Sequence, residues 1–177
     1  MSDTKVITGK VRFSYANVFK PKAIEEGQKE KYSVSILIPK KDKITLNKIN
    51  AAVAAATEAG KTSKFGGRIP ANLKLPLRDG DIDRPEDEAY AGCFFINANS
   101  VRKPAVVDAN VDPIMDQDGF YSGCYGRASI NFYPYNEAGS KGIAAGLQNL
   151  QKLEDGEKLA GGSTAEEDFG DEDNAFM

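Results

Sequence analysis

Apolar and polar residues alternate with a period of two along three stretches of this 177-residue chain. In residues 5–19, Ile7, Val11 and Phe13 share one parity while Lys10, Arg12 and Ser14 take the other, which predicts a strand with one buried face. Gly9 falls on the inner parity and predicts a bulge or a barrel bend. A polar turn over 20–31, with Pro21 and Gly27, leads to a second strand in which Tyr32, Val34, Ile36 and Ile38 alternate with Ser33, Ser35 and Leu37. Pro39 ends it. From Cys93 onward the pattern is β again: CFFINANSV, a short PAVVD, the long FYSGCYGRASINFYPYN, and IAAGLQNLQKL after Gly139 and Gly142.

One helix interrupts these strands. Over residues 42–59, Ile44, Ile49, Ala52, Val53 and Ala56 form an apolar stripe, with Asp42 as N-cap and Gly60 as C-cap. Its alanine-rich half predicts close packing on a sheet or a barrel end. Residues 61–92 have no periodicity, and a connection that long is usually functional or mobile. Five or so strands with one inserted helix predict a mainly β fold, a small Greek-key barrel of the oligonucleotide-binding (OB) type, over residues 1–159. Residues 160–177 are small, polar and acidic, cannot bury enough surface to fold, and are expected to be a disordered acidic tail.

Composition narrows the chemistry. The chain has no histidine, which removes Ser-His-Asp and Cys-His nucleophiles, His-containing zinc sites and the usual neutral-pH proton shuttle. No apolar run approaches the roughly 18 residues of a membrane-spanning helix, and the N-terminus lacks the apolar segment of an export signal. Cys93 and Cys124, with no CxxC, read as reduced core thiols. The net charge of −3 hides a segregation: residues 1–75 sum to +9, residues 76–159 to −6, and the tail to −6 with no cation. A chain average that argues against nucleic acid therefore conceals a strongly basic half.

The stretch from Tyr121 to Tyr135 carries the clearest candidate chemistry. In an extended strand Ala128, Ile130 and Phe132 point one way, and Tyr125, Arg127, Ser129, Asn131, Tyr133 and Tyr135 the other. Aromatic platforms alternating with cations suit a single nucleic-acid strand, where stacking is worth roughly 1–3 kcal/mol per base and tolerates any sequence. The first strand repeats the mixture with Lys10, Arg12, Tyr15, Phe19, Lys20 and Lys22. Lys29, Lys31, Lys40, Lys41 and Lys43 bracket the second strand, and Arg102 and Lys103 follow the third, so several basic clusters can line one groove. In the tail, Glu166, Glu167, Asp168, Asp171, Glu172 and Asp173 are interleaved with Phe169 and followed by Phe176. Acids with aromatic rings imitate the charge and stacking of DNA, so a tethered tail can compete for the groove or dock on a partner. The Asp/Glu clusters around 79–88 and 108–118 read as surface turns, and the spacing of Asp108, Asp112, Asp116 and Asp118 lacks the glycine and terminal Glu of an EF-hand.

Several of these stretches carry a family likeness. Over RFSYANVFKP, KYSVSILIPK, GCFFINANSVRKPAVVD and FYSGCYGRASINFYPYN followed by GSKGIAAGLQNLQKL, the chain resembles tailed-phage single-stranded-DNA-binding proteins of the DUF2815 type. The resemblance implies an OB-fold that coats single strands during phage replication in the host bacterial cytoplasm. It also implies no cofactor and contact with replication or recombination enzymes. Tyr121, Tyr125, Arg127 and Tyr133 lie inside the matching strand and are its groove candidates. The acidic ending is similar to that of bacterial and phage single-strand binders. It departs from them in that Met177 follows Phe176 and no Pro precedes the Phe.

The expectation is thus a non-enzymatic binder of single-stranded DNA without sequence preference. Its groove is drawn from Arg12, Tyr15, Lys20, Lys22, Lys31, Arg102, Lys103, Tyr121, Tyr125, Arg127 and Tyr133. Neither metal nor membrane is expected, and self-association into a homo-oligomer is a further partner class. The rival readings are a strand-annealing recombination protein, a Mg²⁺-dependent nuclease using the Asp clusters, and an adaptor acting through its tail.

Overall fold

Five long strands close on themselves. A computed structural model of the chain describes residues 3–23, 27 and 29–159. Its strands are β1 (Lys5–Ile7), β2 (Val11–Lys22), β3 (Lys31–Pro39), β4 (Arg78–Asp79), β5 (Cys93–Ser100), β6 (Ala105–Val107), β7 (Tyr125–Glu137) and β8 (Ser140–Glu154). β2 pairs with β3, β3 with β5, β5 with β8, β8 with β7, and β7 returns to β2. The β5–β8 pair is parallel, Ala98 opposite Ala145, and the other four are antiparallel. This closure leaves the five barrel strands no free ring edge, the standard solution to the edge problem in small β-barrels.

The period-two pattern sets what the barrel encloses. Phe13, Ile36, Ile96, Ile130 and Phe132 are fully buried inside, and each contributes on the order of 1.5–3 kcal/mol by leaving water. Ala128, Ile130 and Phe132 face inward as expected, so Tyr125, Arg127 and Tyr133 face out. Residues 5–19 are not one strand. The chain breaks at 8–10, where Gly9 N–H donates to Thr45 Oγ1, and the short β1 buries Val6 while Ile7 is exposed. β2 runs on to Lys22, so the polar turn expected at 20–31 begins later. β7 starts at Tyr125, and Phe120–Cys124 form the turn before it.

Helix α1 (Lys43–Ser63) follows β3 and packs on β7 and β1. Asp42 caps it as expected, its Oδ1 accepting from Thr45 N–H at 3.1 Å. Gly60 lies inside the helix rather than capping it: a Cβ there would fall 2.5 Å from Pro134 Cβ of β7. Ile44, assigned to the stripe, is exposed, and Leu46 is buried in its place.

The aperiodic stretch 64–92 folds over the outside of β3 and β5. It carries β4, the short helix α2 (Gly80–Asp83) and a 3₁₀ turn at Glu88–Tyr90. Tyr90 is buried edge-on against Phe95 of β5, beside Leu37 of β3, and its hydroxyl donates to Ser35 Oγ at 2.8 Å. Burial raises the Tyr90 hydroxyl above the ordinary tyrosine value. Cys124 is buried and Cys93 half-buried, both as free thiols. The tail residues Glu166, Glu167, Asp168, Phe169, Asp171, Glu172, Asp173 and Phe176 lie outside the described residues.

Candidate nucleic-acid interface

A bulge in β2 shapes the site. Four residues of β2 (Ser14 to Asn17) oppose three of β3 (Ser35 to Ser33), and Tyr15 adopts φ 48°. Left-handed backbone at a bulky non-glycine residue costs about 1–3 kcal/mol and persists only where the surroundings over-determine it. Here they do. Ala16 N–H donates to Ser122 Oγ at 3.0 Å, Gly123 N–H to the Phe13 carbonyl at 2.7 Å, and the Asn17 amide to the Tyr15 carbonyl at 3.2 Å. The bulge also switches the inward parity from Val11 and Phe13 to Val18, turning the Tyr15 ring outward, 41% exposed.

Along the bulged half of β2 runs an open hollow of about 560 Å³. Its wall includes Tyr15, Phe19, Lys20, Lys22, Tyr121 and Lys158. A second hollow, about 290 Å³, adjoins it across Tyr15 and Leu159, and is lined by Ser14, Arg84, Glu86, Asp87 and Glu88. Lys103 stands 6.0 Å over the Phe19 ring, Arg102 is exposed beside it, and Lys31 pairs with Lys22 in the β2–β3 register.

Two tyrosines are already covered by cations and by the chain leaving β8. Lys152 and Lys158 lie 5.2 and 5.5 Å over the Tyr121 ring. Its hydroxyl donates to Asp155 Oδ1 at 2.7 Å and accepts from Gly156 N–H. Desolvation, then the facing carboxylate, raises the Tyr121 hydroxyl, while hydrogen bonds from Lys152 and then Tyr121 hold Asp155 below the usual carboxylate range. Lys10 and Arg12 lie 5.4 and 5.2 Å over Tyr125, and Lys10 also pairs with Glu154. Arg12 Nε donates to the Gly123 carbonyl at 3.0 Å. Gly123 and Gly156 let these segments touch: a Cβ on Gly156 would lie 2.1 Å from the Gly123 carbonyl oxygen.

The structure thus brings Tyr15, Lys20, Lys22 and Tyr121 to one groove, with Arg12, Lys31, Arg102, Lys103 and Tyr125 at its margins. Arg127 and Tyr133 are not among its walls. They lie further along the outer face of β7, opposite Gln151 and Ala144 of β8, with Arg127 Nε donating to the Thr8 carbonyl at 2.9 Å. Phe19 and Lys158 belong to the groove and Arg84 to the hollow that adjoins it, and Arg84 and Lys158 escape a sequence reading because each sits among acids. The Asp clusters do not build a cation site: among the described residues no three potential ligand side chains come together, and Asp79 and Asp81 each accept from Lys40 Nζ at 2.8 Å.

A five-stranded closed barrel of this order, with a basic and aromatic groove on its wall, defines an OB-fold binding protein. The chain belongs to the family of the Enterobacter phage Enc34 single-stranded-DNA-binding protein, whose family model matches residues 4–176. Putative protein p50 of Acyrthosiphon pisum secondary endosymbiont phage 1 is 32% identical over 174 residues, covering 94% of this chain and 93% of p50. The single-stranded-DNA-binding protein from bacteriophage Enc34, solved in complex with ssDNA, matches with a TM-score of 0.79 and 25% identity over 89% of this chain and 90% of that one. The bacteriophage T7 protein gp2.5 shares the fold, with a TM-score of 0.61 and 17% identity over 95% and 93% of the two chains. The Enc34 relatives are described as single-stranded-DNA-binding proteins, the class expected for this chain.

Proposed function

We propose that this protein binds single-stranded DNA without sequence preference, coating and protecting single strands during phage DNA replication or recombination in the host bacterial cytoplasm. The observation that carries the reading is the groove along β2, where Tyr15 and Tyr121 stand beside Lys20, Lys22 and Lys158. Bases stack on the rings while the lysines neutralise phosphates, a division of labour indifferent to sequence. Membership of a phage family described as ssDNA-binding supports the ligand class.

The tail, residues 160–177, acts in this reading as a tethered competitor and as a handle for replication or recombination proteins. Its support is positional: Leu159, the last described residue, lines both hollows, its N–H donating to the Ser122 carbonyl at 2.9 Å. The last described residue before the six acids and two phenylalanines therefore lies beside Tyr15.

The test is a mobility-shift series with labelled oligo-dT, duplex DNA and RNA, each with and without Mg²⁺. Binding of oligo-dT without Mg²⁺ and with the strand intact is the expected result. Shortening of the strand when Mg²⁺ is added would instead support a nuclease, and absence of any shift would leave an adaptor acting through its tail.

A further inference from the structure

Arg84 belongs to none of the lysine-rich stretches and sits in an acidic loop, yet among the described residues it is the one cation within 6 Å of three aromatic rings. Its guanidinium carbon is 5.7 Å from the Tyr15 ring centre, 5.7 Å from Tyr90 and 5.9 Å from Phe95. Tyr90 and Phe95 are both buried, so they fix the cation, and Tyr15 is the exposed member of the set. Tyr15 in turn is held in left-handed backbone by the hydrogen bonds around it, which fix where its exposed ring stands.

We propose that Tyr15 and Arg84 form a base-stacking platform at the junction of the two hollows, with the 84–88 loop serving as a wall of the DNA path. This rests on the reading that the chain binds single strands. The charges of the two hollows support it. The larger sets Lys20, Lys22 and Lys158 against one acid, Asp118, and attracts phosphates, whereas the smaller sets Glu86, Asp87 and Glu88 against Arg84 alone and repels them. A strand crossing Tyr15 is therefore oriented with its backbone along β2 and a base turned toward Arg84. A cation behind an aromatic ring holds the platform in place while its exposed face receives the base.

The chain contains no tryptophan, so full-length Tyr15→Trp carries a single indole emitter at the platform. It is titrated with oligo-dT and with an abasic deoxyribose-phosphate oligomer of equal length. Oligo-dT quenches the emission on binding, and the abasic oligomer binds without quenching. Tyr15→Gly, which adopts φ 48° without strain, melts no lower than wild type. It binds oligo-dT roughly 5- to 150-fold more weakly, the equivalent of one lost stack, with abasic binding unchanged. Arg84→Ala likewise weakens oligo-dT more than the abasic oligomer. An Arg84 that only supports Tyr90 and Phe95 would lower the melting temperature and leave the ratio of the two affinities unaltered. Unquenched indole emission from the DNA-bound Tyr15→Trp variant, or Tyr15→Gly binding both oligomers like wild type, overturns the platform while single-strand binding stands. If wild type binds neither oligomer, the functional reading falls and the platform falls with it.

Discussion

Arg12 Nη2 donates to the Glu157 carbonyl at 2.8 Å, so a residue near the start of the first barrel strand ties down the segment that leaves the last one. The same side chain covers Tyr125, and the Asp155–Leu159 strap reaches Tyr121 and Ser122. The described chain is thereby held against the groove as far as Leu159.

Arg12→Ala should loosen that strap. It removes two charge-assisted bonds to backbone carbonyls, those of Gly123 and Glu157, and is expected to lower stability by about 1–2 kcal/mol, since Arg12 is only half-buried. Gly156→Ala should act more strongly, because its methyl would meet the Gly123 carbonyl and the Tyr125 ring. Denaturant melts and proteolysis of the 155–159 segment measure both. An unchanged cleavage rate in the two variants would mean that the strap is not held there.

Truncation after Gly162 removes Glu166, Glu167, Asp168, Asp171, Glu172, Asp173, Phe169 and Phe176, and takes the formal charge from −3 to +3. The truncated protein should bind single strands more tightly at low salt, and duplex as well, because a competitor near millimolar effective concentration has gone. The gain should shrink as salt rises. Titrations of the full and truncated chains at three ionic strengths decide this, and equal affinities at low salt would exclude a tail that guards the groove.

Lys20→Ala, Lys22→Ala and Lys158→Ala should each flatten the log–log salt dependence of oligo-dT binding by about 0.7, the value of one phosphate contact on a single strand. They should leave stability within about 0.5 kcal/mol of wild type, since Lys20, Lys22 and Lys158 are exposed. A slope that none of the three alters would put the phosphate track elsewhere on the barrel.

Tyr121→Ala should weaken single-strand binding by roughly 1–3 kcal/mol, whereas Tyr133→Ala and Arg127→Ala should change it little. Tyr121 lines the groove, while the other two look out from the β7–β8 face. The reverse ranking in side-by-side titrations would move the DNA path onto β7.

Asp155, Asp79 and Asp81 are all held below the usual carboxylate range, first of all by hydrogen bonds from Lys152 for Asp155 and from Lys40 for the other two. A carboxyl depressed in the folded state stabilises above its unfolded value, near 3.9, and loses that contribution as pH falls through the lower folded value. Their share of stability should be flat from about pH 8 to 5 and should decline below about 4. Asp155→Asn should soften that decline in thermal melts taken from about pH 7 to 3.

The inner lining of the barrel was legible from alternation alone. Val34, Ile36 and Ile38, or Ala128, Ile130 and Phe132, can bury one face only if the other faces outward, and the period of a strand admits no third choice. Asp42 as N-cap was readable because a helix start leaves amide donors that a short carboxylate satisfies locally. Such facts depend on residues a few positions apart, and sequence carries them.

The groove depended on partners far along the chain. The bulge at Tyr15 exists because Ser122 and Gly123 bind the backbone of β2 from more than a hundred residues away, and it reverses the parity on which alternation relies. Arg84 lies among acids and becomes an aromatic-bound cation only when 64–92 folds over β3 and β5. Arg127 and Tyr133 share the outward face of β7 with Tyr125, yet the curvature of a closed barrel separates residues that one flat strand would align. Composition and spacing determined that this chain makes a barrel and carries the rings and cations a single strand needs. Closure of the barrel, and the long-range hydrogen bonds it permits, decided which of them meet.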